Sequence, residues 1–237
     1  MNDKMIKDYV NTLTENKVTN WDVANGVVCV DGVSFKAAPW RYDRKLKALH
    51  YLSVEYKAVE ELCSYKAMRV ESKNADMYDI LYAELDTCEW LLDDELVSVY
   101  ALANGGKTMS VVMKTKKEIL CTIDIATTLN EKSVPVPKHE MVGKRGYIGD
   151  RSIHEHVPSQ DIYVFQEDKE YPAFHGAPDL PNLELAPEEV IVSESIADIL
   201  TNPDGVAEAL KRHKKILHYV DCVNRSLESG EVIAVEG

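Results

Sequence analysis

Three groups of side chains in this 237-residue sequence have types and spacing that could do chemistry. His154-Glu155-His156 is the most metal-like string: if Ser152–Val157 is extended, both imidazoles point to one side, roughly 7 Å apart, a usable spacing for two ligands of one ion. His139 or Glu140 on a neighbouring strand would add a third ligand. Val157-Pro158-Ser159 follows at once, which favours a solvated edge or loop, so no metal is expected. Asp79 and Asp86 stand seven apart on one helix, two turns along the same face. Such a carboxylate pair could do acid/base work or hold a hydroxyl group, although an acidic helix surface is the simpler reading. Lys138, Lys144, Arg145 and Arg151 cluster in an otherwise acidic chain and would suit a carboxylate, a phosphate or an acidic partner surface, as would a solvated hairpin tip. Tyr42, Tyr51, Tyr56, Tyr78, Tyr82 and Tyr100 supply aromatic surface.

Other patterns exclude more than they suggest. Gly143, Gly146 and Gly149 are spaced GxxGxxG, but a strand follows where a phosphate cradle would need a helix N-terminus, so the spacing predicts a hairpin. Cys29, Cys63, Cys88, Cys121 and Cys222 are odd in number and each sits in an apolar context, which reads as buried reduced thiols. The net charge is −13 with no basic block, against nucleic-acid binding. Apolar residues make up 45% of the chain, enough for a core, and no run approaches membrane-spanning length. The polar start Met1-Asn2-Asp3-Lys4 predicts no leader and therefore a cytoplasmic protein.

The elements that must position these groups follow from periodicity. Met5, Tyr9, Val10 and Leu13 mark a short first helix, and Val27–Val30 and Val33–Lys36 flank Asp31-Gly32 as a hairpin. Apolar positions 42, 46, 49, 56, 59 and 63 predict one helix across Tyr42–Cys63. A strand over Tyr65–Ser72 and a helix over Asp76–Leu92 come next, then strands over Val97–Ala103, Thr108–Lys114, Glu118–Ile125, His139–Val142, Tyr147–Ser152 and Asp161–Gln166. Ala173–Pro187 reads as an extended surface crossing, and helices beginning near Pro187 and Asp204 close the chain. Successive strands without helices between them predict an α+β fold: an open, mainly antiparallel sheet with helices packed on one face.

Several strings in this order resemble the C-terminal half of the glucose-fructose oxidoreductase/inositol dehydrogenase (Gfo/Idh/MocA) family. They are Trp40-Arg41-Tyr42-Asp43 ahead of an amphipathic helix, Asp86-Thr87-Cys88-Glu89-Trp90-Leu91-Leu92 before Val97-Ser98-Val99-Tyr100-Ala101, His139–Ile148 with its ExxGxxG, and Leu227-Glu228-Ser229-Gly230 at the last helix end. The resemblance runs from Arg41 to the C-terminus. It implies an extension over 1–40, carrying a short helix and a β-hairpin, and a family-like C-terminal domain over 41–237. The family places a Rossmann domain first, whereas residues 1–40 contain no GxGxxG, so no cofactor is expected. In the family's helix motif an aspartate precedes a glycine by two, a histidine by four and a second aspartate by seven. Asp79 and Asp86 match its ends, but the glycine position is Leu81 and the histidine position Ala83, and a methyl group transfers no proton. The family's lysine has no clear match; Phe35-Lys36-Ala37-Ala38-Pro39 is the nearest echo.

Hydride transfer by this chain alone is therefore not expected. The first reading is a non-catalytic binding or scaffolding protein, or a partner subunit of an intact oxidoreductase. It would retain a sugar-like pocket around Lys144, Arg145, Arg151 and Tyr82, with Asp79 and Asp86 as the residual catalytic candidates. The alternatives are one subunit of a split sugar dehydrogenase, and a cofactor-free lyase or isomerase. In the family the second sheet face builds the subunit interface, which implies a homo-oligomer through the sheet. No nucleic-acid or membrane partner is expected.

Overall fold

The computed structural model describes residues 2–15, 17–24, 26–150, 162–166, 169–174 and 186–235, which form two compact units. The first comprises residues 1–46 with 178–215, and the second 47–177 with 216–237. Arg151, His154 and His156 lie outside the described residues, as does most of the Ala173–Pro187 crossing.

In the first unit, α1 (Asp3–Leu13) is capped by Asn2, whose side chain accepts from the Met5 N–H. It buries Ile6 and Val10, while Leu13 of the expected stripe is left exposed. A three-stranded antiparallel meander follows: β1 (Trp21–Ala24), β2 (Val27–Val30) and β3 (Val33–Lys36). Asp31 and Gly32 close the predicted hairpin with φ of 48° and 83°, the pair of positive values that such a two-residue turn requires. Ile6, Val10, Trp21, Val28 and Phe35 share one core with Ile196, Ala197 and Ile199 of a later helix, α4 (Pro187–Thr201). The N-terminal segment is thus half of a small folded unit whose other half comes from the end of the chain.

The second unit is built on a nine-stranded sheet. Its strands are β4 (Leu62–Ser72), β5 (Leu96–Asn104), β6 (Thr108–Thr115), β7 (Leu120–Leu129), β8 (Val136–Gly143), β9 (Gly146–Gly149), β10 (Ile162–Gln166), β11 (Lys169–Phe174) and β12 (Ile233–Ala234). Their order is β11-β10-β9-β8-β4-β7-β6-β5-β12, and every neighbouring pair is antiparallel except β4–β7. The sheet is therefore mixed within an α+β fold.

Burial alternates along β6 and β7, so one face carries the core residues Val111, Met113, Cys121 and Ile123. Against that face packs α3 (Met77–Leu92), through Leu81, Leu85, Cys88 and Leu91. Asp76 caps α3 by accepting from the N–H groups of Tyr78 and Asp79, and Asp93 ends it in the left-handed conformation. A second helix, α5 (Gly205–Ser229), belongs to this unit from Ile216 onward, and Ser226 there accepts the Ala101 N–H of β5.

The helix expected over Tyr42–Cys63 is much shorter. It begins as α2 (Arg44–His50) behind Asp43, which accepts from the Leu46 N–H at 2.9 Å. It then widens into one π-type turn, Tyr51–Glu55, closed by Tyr56 N–H on the Tyr51 carbonyl. Lys57 and Glu61, with φ of 52° and 44°, end any helical course. Of the expected stripe positions beyond the turn, Val59 is buried from a loop, whereas Tyr56 and Cys63 are exposed.

Candidate functional site

Helix α3 places the two candidate aspartates in opposite environments. Asp79 lies exposed in the first turn, and Asp86, two turns on, is fully buried. Tyr82, expected on a ligand surface, is buried as well, and Ala83 between them is half-buried. A single open site containing both carboxylates is not formed.

The strongest polar constellation lies beneath α3 and centres on His139 of β8. Its Nε2 stands 3.1 Å from Glu84 Oε2 of α3, its backbone N–H donates to Asp150 Oδ1 at 2.6 Å, and its Nδ1 lies 3.5 Å from Asp150 Oδ2. All three residues are at most 3% exposed. Asp150, just beyond β9, also donates its N–H to the His139 carbonyl. Burial alone would lower the imidazole's proton affinity, but the Glu84 and Asp150 carboxylates more than offset it and raise the pKa from 6.5 to about 9. The two carboxylates thus favour the charged form of His139. From β4, Arg69 reaches Glu84 at 3.8 Å while holding Glu71 at 2.7 Å. Tyr65 packs near the imidazole, its hydroxyl buried without a hydrogen-bond partner among the described residues. Burial first, then the neighbouring thiols and carboxylates, pushes that phenol well above its usual range. No group of three or more His, Cys, Asp or Glu among the described residues is arranged to hold a metal ion. Both ring edges of His139 face carboxylates, which places it as their ion-pair partner. The cluster is closed to solvent, each of its three side chains being buried.

An accessible cavity lies at the other end of α3, a cleft of about 930 Å³. Val59, Leu92 and Ile119 form a buried apolar floor, and Lys57, Glu60, Glu61, Cys63, Asp93 and Lys117 form an exposed rim. The hairpin cations meet this rim. Lys144 pairs with Glu61 and donates its backbone N–H to the Glu60 carbonyl, and Arg145 stands 3.8 Å from Glu60. Ser53, from the π-type turn, donates its hydroxyl to the Leu91 carbonyl at 2.7 Å and ties the cleft wall to the helix end. Two of the basic residues singled out in the sequence thus stand at a cavity, paired with its carboxylates. Cys63, read in the sequence as buried, is exposed, and Cys29 is only partly covered.

Sequence reasoning singled out His139 but missed Glu84 and Asp150. Glu84 lies 55 positions away on another element, with no local signal to join them. Asp150 follows the hairpin at a distance that register alone could have exposed, since Glu140 pairs with Gly149 and leaves His139 beside residue 150. The glycine series is the hairpin expected: Gly143 pairs with Gly146 across the β8–β9 turn.

No protein-family model and no curated protein sequence matches the chain. Solved structures do. An oxidoreductase from Agrobacterium radiobacter, in complex with NAD+, L-tartaric acid and magnesium, aligns with a TM-score of 0.66 at 13% identity, over 85% of this chain and 64% of its own. Levoglucosan dehydrogenase with NADH and L-sorbose gives 0.61 at 14%, over 84% and 65%. An oxidoreductase domain protein from Kribbella flavida gives 0.64 at 11%, over 85% and 65%. These neighbours are Gfo/Idh/MocA-type oxidoreductases, and the likeness is one of fold. The chain spans just under two thirds of their length. No helix among the described residues is long and apolar enough to cross a membrane.

Proposed function

We propose that this chain is a cytoplasmic, oxidoreductase-like binding or partner subunit corresponding to the family's C-terminal domain, with no dinucleotide site and no hydride-transfer chemistry of its own. The observation that carries this reading is the state of α3. The position that holds the family's histidine is Ala83, and the flanking aspartates are divided, Asp79 in solvent and Asp86 in the core. Among the described residues, Asp79 and Asp86 do not face a common open space. The glycine series that could be taken for a pyrophosphate cradle is occupied in a strand pair. A sugar-like small molecule is the ligand class proposed, and the cleft edged by Lys144 and Arg145 is the accessible cavity that suits it.

The outer face of the sheet supports the proposed self-association. Met68 and Leu102 on that face are 38% and 56% exposed, and Val70, Tyr100 and Val112 around them are half-buried. A second copy would cover this apolar surface. The functional reading is tested by following nicotinamide absorbance while the purified chain is incubated with NAD+ and a set of polyols. A flat trace is expected, and steady formation of reduced nicotinamide overturns the reading.

A further inference from the structure

We propose that Tyr65, His139 and Asp150 hold one internal water molecule beneath α3, through which the buried phenol and imidazole complete their hydrogen bonding. The inference concerns the interior of the second unit and does not depend on what the cleft binds.

Two polar atoms come together there without partners. In the β4–β8 ladder Tyr65 faces Met141 and Ala67 faces His139, so the two rings are diagonal neighbours on the core face of the sheet, their centroids 6.4 Å apart. Tyr65 is fully buried and His139 is 2% exposed. Neither the phenol oxygen nor the imidazole Nδ1 makes a hydrogen bond among the described residues, although Nδ1 lies 3.5 Å from Asp150 Oδ2. An unpaired buried polar group is costly, and folded proteins join nearly all such groups to protein atoms or to ordered water. Two of them in one cluster, with a carboxylate beside them, let a single molecule satisfy both.

The surrounding groups decide what that molecule is. Around the phenol lie the Cys88 thiol of α3, the Cys121 thiol of β7 and the Glu84 and Asp150 carboxylates. Two buried carboxylates repel an anion. No three His, Cys, Asp or Glu side chains among the described residues are arranged to hold a metal ion. A small neutral molecule that both donates and accepts fits every partner. It accepts the phenol O–H and donates to a carboxylate oxygen of Asp150, whose two lone pairs allow this alongside any other bond that oxygen makes. At Nδ1 it accepts from the charged imidazole and donates to the neutral one, so the site holds in either protonation state. Water is that molecule, and three polar partners are the number an internal water usually finds.

The test is a crystal structure of the full chain at a resolution that shows ordered water, joined to urea unfolding of the wild type and Tyr65→Phe. One ordered water is expected within hydrogen-bond distance of Tyr65 Oη, His139 Nδ1 and a carboxylate oxygen of Asp150. Tyr65→Phe removes only the hydroxyl, and the sign of its effect discriminates. A hydroxyl bonded to water is missed when it is gone, so the urea midpoint is expected to fall; removal of an orphaned hydroxyl leaves the midpoint unchanged or raises it. An ordered Tyr65 and His139 with no water between them overturns the proposal, as does a phenol oxygen bonded directly to a protein group. A Tyr65→Phe midpoint equal to or above that of the wild type overturns it as well.

Discussion

At the residue scale, burial and not sequence spacing decides what each carboxylate can do. Asp79 and Asp86 look equivalent in a helical projection, yet one is solvated and the other is sealed. Asp79→Asn is expected to cost about 0.3–1 kcal/mol, the loss of an acidic group near a helix N-terminus. Asp86→Ala is expected to cost about 1–3 kcal/mol, because it removes a fully buried polar group together with its interaction. Urea unfolding of the two variants separates these values. His139 gives a second expectation with a defined sign. Its folded pKa of about 9 lies above the ordinary 6.5, so the stabilisation is complete below 6.5 and is lost as pH rises through about 9. Unfolding free energy should fall between about pH 7 and about pH 10 by on the order of 3 kcal/mol, and the fall should vanish in His139→Gln. The sequence marked His139 as a possible third ligand beside His154-Glu155-His156, a string outside the described residues, and only the fold shows that α3 brings Glu84 to it.

At the element scale, α3 was legible because local and tertiary signals agree there: Asp76 caps it, its apolar stripe is the buried one, and Asp93 ends it. The segment 42–63 was not, because the apolar rhythm continues after the hydrogen-bond pattern has changed. Of the stripe positions beyond the turn, Val59 is buried from a loop held by backbone bonds and by Gly143, while Tyr56 and Cys63 are exposed, so the periodicity there reported neither helix nor a buried face. Strand β1 lacked a turn signal before it, and the two-residue β12 is set by its pairing with Val99 and Ser98, so neither was anticipated. The close approach of Gly143 yields a direct expectation. Gly143→Ala should destabilise the protein by roughly 1–3 kcal/mol, since the loop carbonyl of Glu60 must move to admit the methyl group. Gly105→Ala is the comparison that tests space, because a Cβ there meets nothing within 4 Å and only its φ of 59° opposes it. Thermal unfolding of the two variants should give the larger loss to Gly143→Ala; equal losses would contradict the packing described.

At the scale of the whole molecule, the fold is like that of the oxidoreductase neighbours; an α+β fold with a mainly antiparallel sheet was legible because runs of strands have no helices between them, whereas the strand order was not. The parallel pair β4–β7 was beyond reach: which strand lies beside β4 is settled by long-range packing around α3, not by any local string. The proposed assembly through the outer sheet face makes Leu102→Glu the informative change. Light scattering is expected to show a dimer or larger species for the wild type and the monomer mass for the variant, with unchanged circular dichroism. A monomeric wild type contradicts that assembly. The central claim, that the chain by itself offers no home to a nicotinamide dinucleotide, is tested most directly by titrating the purified protein into NADH and following cofactor fluorescence. The account predicts an emission spectrum that does not change at any protein concentration reached. A saturable change in intensity or wavelength, competed by NAD+, would contradict it.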